Sequence, residues 1–257
     1  RIAGAELYYM PLQKENDYVI QLQDIPEEIA RKAKFMLVSY PNNPTAAMAP
    51  ESFYHEVVAF AKKYDIIVLH DNAYSELVFD GQSCGSFLSI PGAMEVGVEF
   101  NSLSKTYGLA GARIGFCVGN KEVVGMLKTL KSNMDYGMFL PIQAAAVEAL
   151  TGNQAVVAET RAAYEHRRDV LCDGLIEAGW HMEKPAGTMF VWAPIPDSYQ
   201  DSESFVADLL DKTGVLVTPG SAFGPSGEGY VRMALVQSED TMKKIVEAVA
   251  VSGIFGK

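Results

Sequence analysis

The segment KFMLVSYPNNPT, residues 34–45, begins with a short apolar run at 34–39 and continues into a polar, proline-containing turn. An apolar run of this length is typical of a buried β-strand, and Asn and Pro commonly end one. Further strands are predicted at 66–70, 98–102 and 114–119, with helices at 50–64 and 121–133. This alternation predicts an α/β fold, in which a mainly parallel sheet is sandwiched by helices and its strands are buried on both faces.

The second half of the sequence has a different pattern. Helices are predicted at 141–150, 153–178, 202–212 and 238–251, the last with Ser238 as its N-cap, and strands at 188–192, 214–217 and 230–235. The helix at 153–178 is long enough to leave one domain and enter another. We therefore predict a large domain at 1–150, and at 151–257 a connecting helix followed by a small α+β domain.

The composition excludes several classes of protein. The chain has 257 residues and a net charge of −11, from 21 Lys and Arg against 32 Asp and Glu. An acidic chain without a basic stripe argues against nucleic-acid binding. The three cysteines, Cys84, Cys117 and Cys172, form no metal-binding pattern, and their wide spacing favours a reducing cytoplasm without disulfides. No apolar stretch approaches the roughly 20 residues that span a bilayer.

Polar motifs follow three of the predicted strands. They are YPNNPT at 40–45, HDNAYSEL at 70–77 and SLSKTYGLAGARIG at 102–115. Ligands of open α/β sheets bind at the carboxyl ends of the strands, so these motifs predict a ligand site at that edge. The glycines of GLAGARIG lack the G-x-G-x-x-G spacing, and a nucleotide site is therefore not supported.

These motifs, with TPGSAFGP at 218–225 and GEGYVR at 227–232, resemble the fold-type-I, pyridoxal-phosphate-dependent aminotransferases of class I/II. Within that family the sequence is most similar to bacterial LL-diaminopimelate aminotransferases, from Arg1 almost to Lys257. The resemblance implies an aspartate-aminotransferase-like large domain that binds the cofactor. It also implies transamination between an amino acid, such as LL-diaminopimelate, aspartate or alanine, and a 2-oxo acid such as 2-oxoglutarate. A cytoplasmic homodimer in lysine biosynthesis is the expected setting.

The resemblance assigns roles to residues of the third motif and to one aspartate. Lys105 stands where the family forms its Schiff base with pyridoxal phosphate, and a lysine becomes nucleophilic when its surroundings lower its pKa. Ser102, Ser104 and Arg113 match the ligands of the cofactor phosphate. Asp71 matches the carboxylate that keeps the pyridine nitrogen protonated.

Other residues match the opposite edge of the ring and the substrate site. Asn43 and Tyr74 match the groups that hydrogen-bond the 3′ oxygen of the cofactor, and Arg232, with Asn43, matches the site of the substrate α-carboxylate. His70 is expected to pack beneath the ring rather than to act in catalysis. Weaker candidates for the pocket lining are Tyr8, Tyr9, Tyr107, Tyr136 and Gln143.

The sequence departs from its relatives at two positions. Ala46 stands where YPNNPTG would place glycine, which costs little if the local φ is negative and adds strain if φ is positive. Ala112 replaces a bulky tryptophan and opens space near the phosphate side or a dimer contact. The relatives also carry an N-terminal arm and a phosphate-binding loop ahead of the position of Arg1, so we expect the N-terminal portion of the large domain to be missing.

Two alternatives to a transaminase remain open. A β-lyase acting on sulfur amino acids would use the same lysine, aspartate and arginines. A transferase-like regulatory domain would follow a DNA-binding module, although the acidic charge disfavours it.

Overall fold

The structure is a computed structural model that describes residues 2–256. It contains two sheets. The first has the order β1-β2-β3-β4, in which β1, β2 and β3 are parallel and β4 is antiparallel to β3: β1 Phe35–Ser39, β2 Ile67–Asp71, β3 Gly97–Ser102 and β4 Gly115–Gly119. The second is antiparallel with the order β5-β7-β6: β5 Phe190–Pro194, β6 Thr218–Pro219 and β7 Tyr230–Ala234.

Helices connect and cover the strands. Their bounds are α1 Glu27–Lys32, α2 Glu51–Tyr64, α3 Ala93–Val96, α4 Leu103–Thr106, α5 Lys121–Met134, α6 Leu140–Thr151, α7 Ala155–Glu177, α8 Ser202–Thr213 and α9 Glu239–Val251. Within residues 2–256, none of these helices combines the length and apolarity that a membrane crossing requires. The α/β class and its mainly parallel sheet are confirmed, and Ser238 caps α9 by accepting a hydrogen bond from the Thr241 amide.

The strand predicted at 214–217 is wrong. Gly214 adopts a left-handed conformation, with φ 71°, and caps α8 through its amide, while the Val215 amide donates to the Thr213 hydroxyl. Local hydrogen bonds thus occupy the start of this segment. Val217 is buried in the core, and strand pairing begins only at Thr218, opposite Arg232. Of the apolar residues that suggested a strand, Val217 packs in the core and Val215 packs partly against it, whereas Leu216 is 72% exposed.

Strand β1 is covered on one face only within the described residues, whereas in β3 the neighbouring residues Val98 and Glu99, which point to opposite faces, are both buried. In β1, Met36 and Val38 lie in the core against α2, whereas Phe35 and Leu37 are 60% and 62% exposed. Burial of both faces, which the apolar runs predicted, is therefore not observed for this strand. Because side chains alternate along a strand, the apolar residues divide between a buried face and an open one.

A second core lies around the second sheet. Leu171 and Leu175 of α7 are buried with Val191 of β5 and Val231 of β7. The proposed boundary between 150 and 151 stays a prediction, although α6 ends and α7 begins within a few residues of it. Each sheet thus has its own cluster of buried side chains.

The segment that follows β2 connects the first sheet with α7 and with the segment before β5. The Phe79 amide donates to the Ala186 carbonyl and the Thr188 amide to the Leu77 carbonyl. Arg168, 2% exposed on α7, donates two hydrogen bonds to the Asp80 carboxylate, at 2.6 and 2.8 Å. These contacts hold the second sheet beside the carboxyl edge of the first.

Candidate active site

The carboxyl ends of β1, β2 and β3 bring the three motifs to one edge. Ser39 and Asp71 are paired across β1 and β2, and Asp71 is paired with Phe100 of β3. Asn43 follows β1 in the next loop, and Ser102 is the last residue of β3. Parallel strands end at the same side of a sheet, so the predicted meeting of these motifs is observed.

The loop that carries Asn43 is built around its buried neighbour Asn42. The Asn42 side chain donates to the Ser39 carbonyl and accepts from both the amide and the hydroxyl of Thr45. The Ala46 amide closes the turn onto the Asn42 carbonyl, with Ala46 at φ 59°. Ala46 therefore occupies the left-handed region that favours glycine, and its replacement of the family's glycine adds strain.

A chain of polar contacts joins Arg232, Asn43 and Tyr74. Arg232 Nη1 donates to Asn43 Oδ1 at 2.9 Å, and the Asn43 side chain also hydrogen-bonds the Tyr74 hydroxyl. The guanidinium carbon of Arg232 lies 4.3 Å from the ring centre of Phe190 and 4.7 Å from that of Phe223. These groups connect β7 of the second sheet to the edge of the first.

Burial changes the acidity of two of these groups. The pKa of Tyr74 is raised by burial and by the negative charge of Asp71, against the opposing effects of Arg232 and Asn43. The pKa of Arg232 is lowered by burial, although the guanidinium stays charged in proteins. Among the described residues, Arg232 Nε is buried without a hydrogen-bond partner. A buried N–H of this kind is costly unless an acceptor meets it, so the site favours an anion.

Lys105 lies on the short helix α4, directly after β3. Its amine is 5.9 Å from the ring centre of Tyr74, and the residue is partly buried. Ser102 caps the same helix by accepting a hydrogen bond from the Ser104 amide at 3.1 Å. The lysine and both serines thus lie on one helical turn and its cap, and the lysine amine is directed toward the tyrosine ring.

Asp71 and Arg113 are the more exposed members of the predicted set. Asp71 Oδ1 accepts from the Ala73 amide at 3.2 Å, in a turn that leads to Tyr74. Arg113 has φ 56° and donates to the Ala110 carbonyl at 3.0 Å, a hydrogen bond within its own loop. The structure therefore joins Asn43, Tyr74 and Arg232 by direct contacts. Gly115 pairs with Ser102, and the Leu103 amide donates to the Ile114 carbonyl, so the loop that carries Arg113 lies beside α4.

Comparison with known proteins identifies the family. Residues 1–249 match the model described as aminotransferase class I and II. The chain belongs to this family.

Individual relatives agree with the family match. The LL-diaminopimelate aminotransferases of Moorella thermoacetica and Syntrophobacter fumaroxidans are each 48% identical to the chain, over 96% and 95% of its length. The chain spans 63% of the length of each of these relatives. Among solved structures, apo BacF from Bacillus subtilis has a TM-score of 0.94 and 38% identity, and covers 100% of this chain and 65% of its own. A probable N-succinyldiaminopimelate aminotransferase from Thermus thermophilus has a TM-score of 0.90 and 33% identity, over 98% of this chain and 67% of its own.

The structure gives contacts for two of the residues that were predicted as weaker candidates for the pocket lining. The Tyr107 hydroxyl donates to Gln154, and the Gln143 amide donates to the Met138 carbonyl. The three further tyrosines suggested for the pocket are all exposed: Tyr8, Tyr9 and Tyr136. Their roles as pocket lining stay predictions.

The sequence reasoning missed the aromatic side chains that enclose Arg232. Phe190 belongs to the strand predicted at 188–192, and Phe223 belongs to the motif TPGSAFGP at 218–225. The sequence therefore shows both as apolar residues within or near a motif. Their convergence on one guanidinium depends on pairing between distant parts of the chain. His70, by contrast, is fully buried, as expected for a packing residue, and its ring lies 3.1 Å from Glu99.

Proposed function

We propose that this aminotransferase uses pyridoxal phosphate to transfer an amino group from an amino acid to a 2-oxo acid such as 2-oxoglutarate. The observation that carries the proposal is the buried Nε of Arg232, which has no hydrogen-bond partner among the described residues and lies on a guanidinium that donates to Asn43. Asn43 contacts Tyr74, and the ring centre of Tyr74 is 5.9 Å from the Lys105 amine. An arginine of this kind fits the carboxylate that both substrates share.

The donor set fits the cofactor. Asp71 would hold the pyridine nitrogen, and Tyr74 with Asn43 the 3′ oxygen. The phosphate would be held by the α4 turn: Ser102, Ser104 and the nearby Arg113. When bound, pyridoxal phosphate supplies an electron-accepting ring that stabilises negative charge at the substrate Cα. The raised pKa of Tyr74 keeps its hydroxyl protonated and able to donate to an anionic oxygen.

The chain's own residues account for binding and proton movement. Arg232 Nε, with the adjacent Nη group, would donate two parallel hydrogen bonds to the α-carboxylate, a geometry that lysine cannot reproduce. Asn43 and the two phenylalanine rings orient the guanidinium. The Lys105 amine would remove the proton from the substrate Cα as general base and then, as general acid, would deliver it to the C4′ carbon of the cofactor.

The amino-acid substrate is proposed from the relatives. LL-diaminopimelate is the first candidate, because the relatives from Moorella thermoacetica and Syntrophobacter fumaroxidans are named LL-diaminopimelate aminotransferases. Aspartate and alanine are the next candidates. The proposal places the enzyme in the cytoplasm as a homodimer, in lysine biosynthesis. These assignments concern the whole protein and rest on similarity.

A panel of amino donors tests the reaction. Purified protein with pyridoxal phosphate and 2-oxoglutarate should convert one of LL-diaminopimelate, aspartate, alanine and the aromatic amino acids to its oxo acid, with glutamate formed in equal amount. Release of pyruvate from cystathionine when no 2-oxo acid has been added as acceptor would instead indicate a β-lyase.

Substitution of the lysine tests the mechanism. Lys105→Ala should abolish turnover together with the visible absorption band of the lysine-bound cofactor, whereas Lys128→Ala, on the exposed surface of α5, should retain both. Persistence of turnover and absorption in Lys105→Ala would refute the proposal.

A further inference from the structure

A buried carboxylate lies beneath the candidate active site. Glu99, in the middle of β3, is 3% exposed. Its Oε2 accepts hydrogen bonds from His70 Nδ1 at 3.1 Å, from the Ser86 hydroxyl at 2.9 Å and from the Phe87 amide at 2.9 Å. The other imidazole nitrogen of His70 is 3.3 Å from the Tyr54 hydroxyl. The carboxylate therefore joins three separate segments of the chain.

The second oxygen of Glu99 extends the network toward the strand ends. Oε1 accepts from the Asn101 amide group at 2.9 Å, and the Asn72 side chain is a further hydrogen-bond donor to the carboxylate. Burial raises the pKa of Glu99. Hydrogen bonds lower it by more than burial raises it, and hold the pKa of Glu99 at about 2; the donors are His70, Asn101, Asn72 and Ser86. An ionised carboxylate accepts only, which matches a partner set made of donors.

The alternation of side chains relates this network to the site. His70 and Asn72 flank Asp71 in the chain, and Asn101 directly precedes Ser102. Neighbouring residues of a strand point to opposite faces, so the partners of Glu99 lie on one face while Asp71 and Ser102 lie on the other. The strand register agrees, since His70 is paired with Glu99 and Asp71 with Phe100.

We infer that Glu99 is a positioning residue: its carboxylate joins the carboxyl ends of β2 and β3 and thereby fixes the distance between Asp71 and Ser102. This inference rests on the proposed function, in which Asp71 and Ser102 hold opposite ends of one rigid cofactor. The spacing of the two strand ends must then match the distance from the pyridine nitrogen to the phosphate. Buried hydrogen bonds around a single ionised group are suited to fix that spacing, because each one resists displacement.

Two single substitutions form a matched pair that tests the inference. Asn101→Ala and Ser86→Ala each remove one 2.9 Å hydrogen bond to the Glu99 carboxylate from a partly buried donor. The Asn101 bond lies within β3 and holds the Glu99 carboxylate at the strand end that carries Ser102, in the position from which it binds His70 of β2, whereas Ser86 lies in a loop outside the sheet. Ser86 also caps the turn at Phe87–Ser89, so Ser86→Ala is the variant expected to lose more stability.

The readout is the dissociation constant for pyridoxal phosphate, measured by fluorescence titration of the apoprotein. We expect Asn101→Ala to weaken binding by about tenfold, the effect of one hydrogen bond to a charged group. Ser86→Ala should bind within about twofold of the parent, despite its lower stability. Glu99→Gln, which keeps the size but removes the charge, should weaken binding at least as much as Asn101→Ala. Equal binding by the parent and Asn101→Ala, or equal losses in Asn101→Ala and Ser86→Ala, would overturn the inference.

Hydrogen exchange separates this inference from the proposed function and needs no cofactor. The Asn72 amide donates to the Phe100 carbonyl at 2.9 Å, across the ends of β2 and β3. Its exchange should be faster in Asn101→Ala and Glu99→Gln than in Ser86→Ala. If the parent fails to bind pyridoxal phosphate while this order of exchange holds, the proposed function fails and the structural role of Glu99 stands. Unchanged exchange in all three variants overturns the role of Glu99 itself.

Discussion

Replacement of Arg168 by alanine should destabilise the folded protein strongly. The guanidinium donates to Asp80 through both Nη atoms and to the buried Pro185 carbonyl at 3.1 Å, and its central carbon lies 5.0 Å from the ring centre of Phe79. Arg168 lies on α7, whereas Phe79 and Asp80 follow β2. The substitution therefore removes contacts between α7 and the segment that follows the first sheet. The loss should therefore appear in global unfolding.

The magnitude follows from the exposure of each partner. The Asp80 side chain is 54% exposed and can be rehydrated, so its pairing with Arg168 contributes about 1 kcal/mol. The Pro185 carbonyl loses its donor in the interior, at a cost of about 1 kcal/mol. Loss of the aliphatic stem and of the contact with Phe79 contributes about 1 kcal/mol more. We expect a decrease of about 3 kcal/mol in the free energy of unfolding.

Urea unfolding followed by tryptophan fluorescence measures this decrease, because Trp180 and Trp192 are both buried in the second part of the chain. Arg161→Ala is the matched control. Arg161 also binds the chain after β2, through the carbonyl and carboxylate of Glu76, but its side chain is 37% exposed. It should lose only about 1 kcal/mol. Equal losses in the two variants, or a loss below about 1 kcal/mol for Arg168→Ala, would refute the assigned role of burial.

The same pair predicts a dependence on pH. The hydrogen bond from Arg168 is the largest of the effects that lower the pKa of Asp80 in the folded protein. A carboxyl group whose pKa is lower when folded contributes stability above its unfolded pKa of about 3.9 and loses that contribution as pH falls through the folded value. The difference between the parent and Arg168→Ala should therefore shrink below about pH 4. A constant difference down to pH 2 would contradict the pairing.

Three further substitutions test separate features of the molecule. Arg232→Lys should lower kcat/KM for amino-acid donors by about a hundredfold, because lysine loses the two-pronged contact, while titration should show cofactor affinity unchanged; equal loss of cofactor affinity would contradict a role confined to substrate. Ala46→Val should lower the unfolding free energy by more than about 2 kcal/mol, because a β-branched side chain is strained at φ 59°. Ala46→Gly serves as its control and should stay within about 1 kcal/mol, since relief of strain offsets the lost methyl group and the added freedom of the unfolded chain; similar losses in both would argue against backbone strain. Ser238→Ala should cost about 1 kcal/mol in thermal or urea unfolding through loss of the α9 cap, and Ser238→Asp should restore it; no loss in Ser238→Ala would argue against the cap.

The local sequence was sufficient to predict the elements of the first sheet. Runs such as 34–39 and 66–70 have the length and apolarity of strands, and their polar continuations identify the edge where the motifs meet. The prediction failed at 214–217, because a short apolar run does not by itself distinguish a strand from a connecting segment. There the helix cap at Gly214 determines the backbone before strand pairing begins.

The contacts that complete the site could not be predicted from local patterns. Glu99 stands within a short strand, and its imidazole partner is 29 residues away in the sequence. Arg168 and Asp80 are separated by 88 residues, and Asn43 and Arg232 by 189. Such pairs depend on how distant elements pack, whereas motif resemblance identifies only the chemical type of each residue. The structure supplies the network that joins them.

The enclosure of Arg232 has a consequence for the thermodynamics of substrate recognition. A free arginine side chain loses about 2 kcal/mol of rotamer entropy when it is held in one conformation. Phe190, Phe223 and Asn43 already restrict this side chain in the absence of substrate. Folding, rather than association, therefore bears most of the entropic cost of ordering it, and a carboxylate that enters the site meets a preorganised receptor. Affinity for small acids then depends on the rigidity of an aromatic enclosure as much as on charge.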